Sequence, residues 1–210
     1  MQQTATFWDK AADKYAKSPI ADIDAYNDTL GRTRTYLKTA DRVLEIGCGT
    51  GSTALLLAPD VDHIIASDIS TRMIEIASRK AADQGVSNVT FTAADLFDSA
   101  RDQGPYDAVL AFNLLHLVED APGAIRHIHG LLKPGGVFIS KTVCQPGKGA
   151  PLKFRLIKLL LPLMQWLGKA PYVNFMTPTE FETLMTAQGF NIVESGDRPP
   201  PSRYVVARKA

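Results

Sequence analysis

The chain has 210 residues, 45% hydrophobic and 21% charged, with 15 glycines and 13 prolines. That composition excludes collagen-like, low-complexity and disordered chains and argues for a single domain over residues 1–210, large enough to bury its own core. Two cysteines, Cys48 and Cys144, are too few for a disulfide framework, and no His/Cys/carboxylate cluster has metal-ligand spacing, so no metal is expected. The opening MQQTATFWDKAADKY carries early charges and no apolar run, which argues for a cytoplasmic setting.

The net charge of +1 suggests no nucleic-acid partner but hides an asymmetry. Residues 1–120 hold 18 acids against 11 Lys/Arg, whereas residues 121–179 hold eight Lys/Arg and no acid.

Residues 7–38 read as helical, within an N-terminal cap of about residues 1–38. Arg42 to Gly47 is a short apolar strand, followed by a helix over Ser52–Leu57 that Pro59 closes. His63 to Ser67 is a second strand that stops at Asp68. Ser70 caps the next helix, which runs to about Gln84 with Gly85 as its stop. Asn88–Ala93 and Tyr106–Phe112 are the third and fourth strands. A helix over 121–132 ends at the turn Pro134-Gly135-Gly136, and Val137–Ser140 is the fifth strand. Thr179–Gln188 is a helix, and Phe190–Glu194 and Tyr204–Arg208 are late strands joined through Pro199-Pro200-Pro201.

Alternating strands and helices imply an α/β, doubly wound, mostly parallel seven-stranded sheet. The last two strands lack a helix between them and should pair as a hairpin, which reverses one strand. Residues 141–176 break the rhythm and read as a helical insertion after strand five.

Gly47-Cys48-Gly49-Thr50-Gly51 leaves a strand and opens a helix, a geometry that brings backbone N–H groups close to a ligand. Asp68 ends the second strand 21 residues after Gly47, the placement of an acid that accepts from ribose hydroxyls. A dinucleotide loop wants a third glycine where Ser52 stands. Glu45 just before the loop suits an ammonium or sulfonium better than a phosphate.

VLEIGCGTG, from Val43 to Gly51, resembles motif I of the class I S-adenosylmethionine-dependent methyltransferases. Asp68-Ile69-Ser70 with Met73, Ala94-Asp95-Leu96 and LLKPGGVFIS, from Leu131 to Ser140, are similar to later segments of that family in the same order. The likeness is strong over 40–140, extends over 177–210 and leaves out 141–176. It implies S-adenosylmethionine as cofactor and S-adenosylhomocysteine as product. It further implies that Gly47, Cys48, Gly49 and Gly51 wrap the methionine part and the ribose, and that Asp68 binds the ribose hydroxyls. Ile69 and Met73 would lie against adenine, with Asp95 on its amino group between Ala94 and Leu96. Glu45 and Asn113 would lie near the methionine ammonium, and Tyr15 could close over the carboxylate.

Methyl transfer from a sulfonium needs alignment above all, plus a base where the acceptor is a hydroxyl or an acidic carbon. Asn113-Leu114-Leu115-His116 lacks the Asn/Asp-Pro-Pro-aromatic sequence of enzymes that methylate nucleobase or glutamine amino groups. His116 is the candidate catalytic base, with packing as the competing reading.

In residues 152–169, LKFRLIKLLLPLMQWLGK, a helix would align Arg155, Lys158, Gln165 and Lys169 in one polar stripe that Pro162 interrupts. Three readings stay open: a packing helix that shows this stripe to water, a lid over an apolar and even anionic acceptor, or a peripheral contact with anionic membrane. The expected function is methyl transfer to a small, largely apolar acceptor, on oxygen, nitrogen or carbon. A membrane-associated lipid or quinone methyltransferase and a non-catalytic cofactor-binding module are the alternatives.

Overall fold

The structure is a computed structural model that describes residues 2–98, 104–145, 159–165 and 167–210. Its elements in chain order are α1 (Gln2–Lys17), α2 (Ile23–Arg34), β1 (Arg42–Ile46), α3 (Ser52–Leu57), β2 (His63–Asp68), α4 (Thr71–Gln84), β3 (Val89–Ala93), β4 (Tyr106–Phe112), α5 (Ala121–Leu131) and β5 (Leu132–Val143). Then come a helix described over 159–165, here α6, and α7 (Pro178–Ala187), β6 (Phe190–Asp197) and β7 (Ser202–Lys209).

The seven strands form one sheet in the order β3-β2-β1-β4-β5-β7-β6. β1 to β5 are mutually parallel, and β7 inserts antiparallel between β5 and β6. The expected hairpin and its single reversed strand are therefore present. The central strand β1 is buried along four of its five residues because helices cover both faces, whereas the edge strand β6 buries only Phe190 and then alternates exposed and half-buried positions.

Two apolar clusters fill the two faces. Leu44, Val109, Phe138, Ile125 and Phe181 pack beneath α5 and α7, and Val43, Leu110, Ile139, Leu57 and Leu30 pack beneath α2 and α3. The capping residues act as their types dictate. The Ser70 hydroxyl accepts from Met73 N–H at 3.1 Å, Gly85 closes α4 with φ +67°, and Thr177 and Glu180 form a reciprocal capping box on α7.

Several boundaries differ from expectation, among them those of the late strands, which run over Phe190–Asp197 and Ser202–Lys209. The N-terminal helical stretch is two helices, α1 and α2, separated by residues 18–22, where Pro19 interrupts and Asp22 caps the second by accepting from Ala25 N–H at 2.9 Å. β5 is longer than Val137–Ser140, because the chain rejoins β4 already at Leu132, opposite Tyr106, and carries Pro134-Gly135-Gly136 as an irregularity within the pairing. It then runs to Val143 because β7 pairs with it that far.

The connection after β5 closes at its base, where Gln145 N–H donates to Met176 O at 2.8 Å. Residues 146–158 and Trp166 lie outside the described residues, and with them Arg155 and Lys158 of the expected stripe. In α6 the polar-stripe residue Gln165 is half-buried, like Leu161, and donates to Pro171 O at 2.9 Å, while Leu159, Leu160, Leu163 and Met164 face outward. Leu159 is 75% exposed, Leu163 55% and Leu167 49%. Lys169 of the stripe is exposed as well, so polar and apolar positions alike reach water here.

Candidate functional site

The strand order reverses direction between β1 and β4, and ligands of doubly wound sheets bind in the crevice outside the carboxyl ends at such a point. The glycine loop leaves β1 there and Asn113 leaves β4. Gly47 and Cys48 both donate from their backbone N–H to Ser67 O, at 2.7 and 2.9 Å, which ties the start of the loop to β2. The two glycines that follow differ in purpose. A Cβ on Gly51 would stand 2.7 Å from the Phe91 ring and 2.8 Å from Ala77 Cβ, so packing alone demands glycine. A Cβ on Gly49 would meet only Tyr15 Cε1, at 3.9 Å, so the loop has open space on that side. Both glycines have positive φ, +75° and +54°.

Asp68 sits beside this space. Its Oδ2 accepts from Gly49 N–H and its Oδ1 from Ser70 N–H, each at 2.9 Å. Each oxygen keeps a further lone pair, so the carboxylate can still accept from two hydroxyls. Burial pushes the Asp68 carboxyl above its usual range, and the two N–H donors oppose that shift. Lys80 pins the far side of the loop: its ammonium donates to Thr50 O, Thr50 Oγ1 and Ser52 Oγ at 3.1, 3.0 and 3.2 Å.

Glu45 projects from β1 beneath the loop and is 2% exposed. The Ala54 backbone N–H reaches its carboxylate, but Oε2 is buried with no hydrogen-bond partner. Desolvation, and then the nearby charge of Asp68, push the carboxyl up to about 8. A buried carboxyl oxygen without a partner is costly unless a ligand serves it.

Tyr15 lies over the loop from α1. The residue is 55% exposed overall, yet desolvation, then Asp68 and Glu45, raise its phenol. What holds α1 in place was not legible in the sequence: Asp9 Oδ1 accepts from Ser70 Oγ at 2.7 Å and from Arg72 N–H at 3.1 Å, and Arg72 pairs with Asp13 at 2.8 Å. Asp9 thereby caps α4 from another helix, and no local motif announces such a contact. Lys80 was missed for the same reason.

The remaining expected residues are placed as follows. Cys48 is buried, and burial holds its thiol well above the usual range, so it enters the site through its backbone. Met73 is 2% exposed on the inner face of α4. Ala94 donates from its N–H to Asp68 O at 2.9 Å, which brings the Asp95 loop beside Asp68. Asp95 turns its Oδ1 onto Phe97 N–H at 2.9 Å, and Leu96 packs in the core. Ile69 is half-buried next to Asp68. Asn113 adopts the left-handed region with φ +54°, a conformation rare outside glycine, while its N–H donates to Lys141 O at 2.7 Å.

His116 follows in a short 3-10 turn over Leu115–Leu117. Its carbonyl accepts from Asn174 N–H at 2.6 Å, which fastens this turn to the segment after the insertion. Its Nδ1 is buried without a partner, and desolvation lowers the imidazole to about 4. The ring is therefore neutral at ordinary pH.

Fold and site together bring the glycine loop, Asp68 and the buried Glu45 to the carboxyl ends of the strands at the switch point. A family model described as a methyltransferase domain matches residues 15–195. The chain belongs to that family, the class I S-adenosylmethionine-dependent methyltransferases. A demethylmenaquinone methyltransferase of Clavibacter sepedonicus is 32% identical over 139 residues, covering 64% of this chain and 55% of its own length. Methyltransferase calH of Penicillium decumbens is 28% identical over 214 residues, covering 91% and 55%. The chain thus spans about half the length of these curated relatives. Among solved structures, the DhpI complex with S-adenosylhomocysteine matches with a TM-score of 0.76 at 23% identity over 100% of this chain and 96% of that one. Magnesium protoporphyrin IX methyltransferase of Synechocystis PCC 6803 matches with a TM-score of 0.70 at 21% identity over 99% and 96%. At such identities the structures establish the shared fold.

Proposed function

We propose that this chain transfers the methyl group of S-adenosylmethionine to a small, largely apolar acceptor, and that it meets this acceptor at an anionic lipid surface. The observation that carries the reading is the outward face of α6. Leu159, Leu163 and Leu167 recur every four residues, and Leu160 and Met164, 45% and 40% exposed, flank them. A helix face of that spacing is matched by the boundary of a bilayer, where each such side chain loses water contact at a gain of about 1.5–3 kcal/mol when fully buried. The charge of the surrounding sequence agrees. Residues 146–169 hold five Lys/Arg and no acid, and each basic residue near an anionic surface adds about 1 kcal/mol. No helix among the described residues is long and apolar enough to cross a membrane, so the contact proposed is peripheral. Two relatives carry quinone substrates in their names, demethylmenaquinone methyltransferase and a ubiquinone/menaquinone biosynthesis C-methyltransferase, which agrees with an apolar acceptor.

The bound cofactor supplies an electrophilic methyl group on a sulfonium, and the residues here hold and align what reacts. Gly47, Cys48, Gly49 and Gly51 present backbone to the methionine and ribose parts. Asp68 accepts from the ribose hydroxyls. Asp95, with Ala94 and Leu96, takes the adenine edge, and Ile69 and Met73 its face. Glu45 and Asn113 serve the ammonium, and Tyr15 on α1 closes over the carboxylate. His116, kept neutral by burial, is the base that takes the proton from a hydroxyl or acidic carbon of the acceptor, whereas a neutral amine needs none.

The test has two arms. Protein is sedimented with vesicles of phosphatidylglycerol or of phosphatidylcholine, alongside a variant with Leu159→Ser, Leu163→Ser and Leu167→Ser. Binding to the anionic vesicles alone, lost in the variant, is expected; equal recovery with and without vesicles would refute the lipid surface. Incubating labelled S-adenosylmethionine with a cell lipid extract should then yield a labelled apolar product. Cofactor binding with no transfer to any small molecule would instead favour a non-catalytic binding module.

A further inference from the structure

Glu45 stands among groups that offer it no positive charge. Asp68 approaches from the end of β2, Cys48 from the loop, Tyr15 from α1 and Tyr26 from α2, and the rise of each of the last three includes a contribution from Glu45. α3 contributes the neutral Ala54 N–H, and β4 places Leu110 opposite Glu45 in the pairing. The Tyr26 hydroxyl is shared with Thr53 Oγ1 at 3.2 Å and does not serve the carboxyl. None of the ion pairs among the described residues includes Glu45. The carboxyl oxygen Oε2 is thus buried, unpartnered and surrounded by groups that are acids or neutral.

A buried carboxyl with a second carboxyl nearby does not ionise readily without a counter-charge. Asp68 has two N–H donors to hold its negative charge, and Glu45 has one. The proton therefore rests on Glu45 while no cation is near, consistent with the upward shift to about 8 described above. A ligand ammonium entering the pocket reverses the balance: the charge it brings makes the carboxylate the favoured form, and the O–H proton has to leave.

We propose that Glu45 exchanges its proton for the ammonium of S-adenosylmethionine, so that cofactor binding expels about one proton to solvent. The exchange balances. The neutral carboxylic acid and the ammonium cation become a carboxylate–ammonium pair plus one hydrated proton, and no bond is broken except the Glu45 O–H. The consequence is selectivity by charge. A ligand lacking the ammonium can occupy the ribose and adenine positions but leaves Glu45 protonated. The inference rests on Glu45 facing the methionine ammonium.

Calorimetric titration with S-adenosylmethionine at about pH 6.5, in phosphate and in imidazole buffer, measures the protons released from the difference in heat between the two. At that pH both the ligand ammonium and Glu45 carry their protons. Release of close to one proton is expected, together with an affinity that rises about tenfold per pH unit on the acid side. Methylthioadenosine, which has the nucleoside and sulfur but no amino group, should bind to the same protein with no release. Glu45→Gln, tested for an unchanged melting profile below about pH 4.5, where Glu45 is protonated in both folded and unfolded chains, should bind S-adenosylmethionine more weakly and with no release. Equal heats in the two buffers would overturn the proposal, as would equal release with methylthioadenosine. Absence of any binding heat or competition by S-adenosylmethionine would overturn the proposal together with the cofactor assignment, whereas binding without proton release would leave that assignment standing.

Discussion

Asp68 and Gly49 are joined by a single hydrogen bond, from the glycine N–H to the carboxylate Oδ2 at 2.9 Å, and through it the acid at the end of β2 shapes the loop that follows β1. One side chain thus fixes the loop and offers its remaining lone pairs to a ribose. Replacing it loses both functions. Asp68→Ala is expected to weaken S-adenosylmethionine binding by about 10- to 100-fold, the worth of one charge-assisted hydrogen bond, as read by calorimetric titration. Asp68→Asn keeps the volume and should recover stability more than affinity.

The two loop glycines should separate stability from binding. At Gly51 an added methyl collides with Phe91 and Ala77, so Gly51→Ala is expected to lower stability by about 1–3 kcal/mol in chemical denaturation. At Gly49 the methyl enters open space, so Gly49→Ala bears only the strain of its φ of +54°, about 1 kcal/mol, and its main effect falls on cofactor affinity. Equal loss of stability in both variants would contradict the assignment of open space.

Asp9 reaches from α1 to cap α4 through Ser70 Oγ and Arg72 N–H. Asp9→Ala should cost about 1 kcal/mol, the usual worth of a lost cap, and should loosen α1. Because Tyr15 rides on α1, cleavage by limited proteolysis within residues 2–17 is expected to quicken and cofactor affinity to fall together. Asp13→Ala, which removes only a half-exposed ion pair with Arg72, should do much less.

The unliganded protein should lose stability as pH rises. Glu45 goes from its ordinary value of 4.5 up to about 8 on folding, so the folded chain holds that proton more tightly than the unfolded one. The resulting stabilisation is full below about pH 4.5 and is lost as pH rises through about 8, on the order of a few kcal/mol. Melting curves should show Glu45→Gln overtaking the parent protein above about pH 8, and a saturating ligand ammonium should abolish the difference.

His116 moves the other way. Its imidazole is depressed to about 4, so it contributes stability above the unfolded value of about 6.5 and loses it as pH falls through about 4. Between those limits it stays neutral, and the transfer rate should show no His116 titration from about pH 6 to 8. His116→Ala is expected to lower kcat about 100-fold with little change in the KM of S-adenosylmethionine. A parallel fall in thermal stability with kcat unchanged would return His116 to a packing role.

Much of this protein is decided by local pattern. The apolar runs of β1, β2 and β4, the caps Ser70 and Gly85 and the spacing of the glycine loop to Asp68 depend on neighbours in sequence, so the doubly wound sheet, its reversed strand and the loop's place at the switch point follow from the residues alone. The tertiary structure decided what depends on partners far along the chain. It set the length of β5, because β7 pairs with it to Val143, and the hold on α1, because Asp9 lies 61 residues from Ser70. It distinguished Gly51, enclosed by Phe91 and Ala77, from Gly49, which faces open space. It also left Leu159, Leu160 and Leu163 of α6 exposed, a point on which the sequence had three readings open. Above all it left Glu45 buried beside Asp68 with no cation. A carboxyl's charge state is set by what surrounds it in space, and only folding brings those surroundings together.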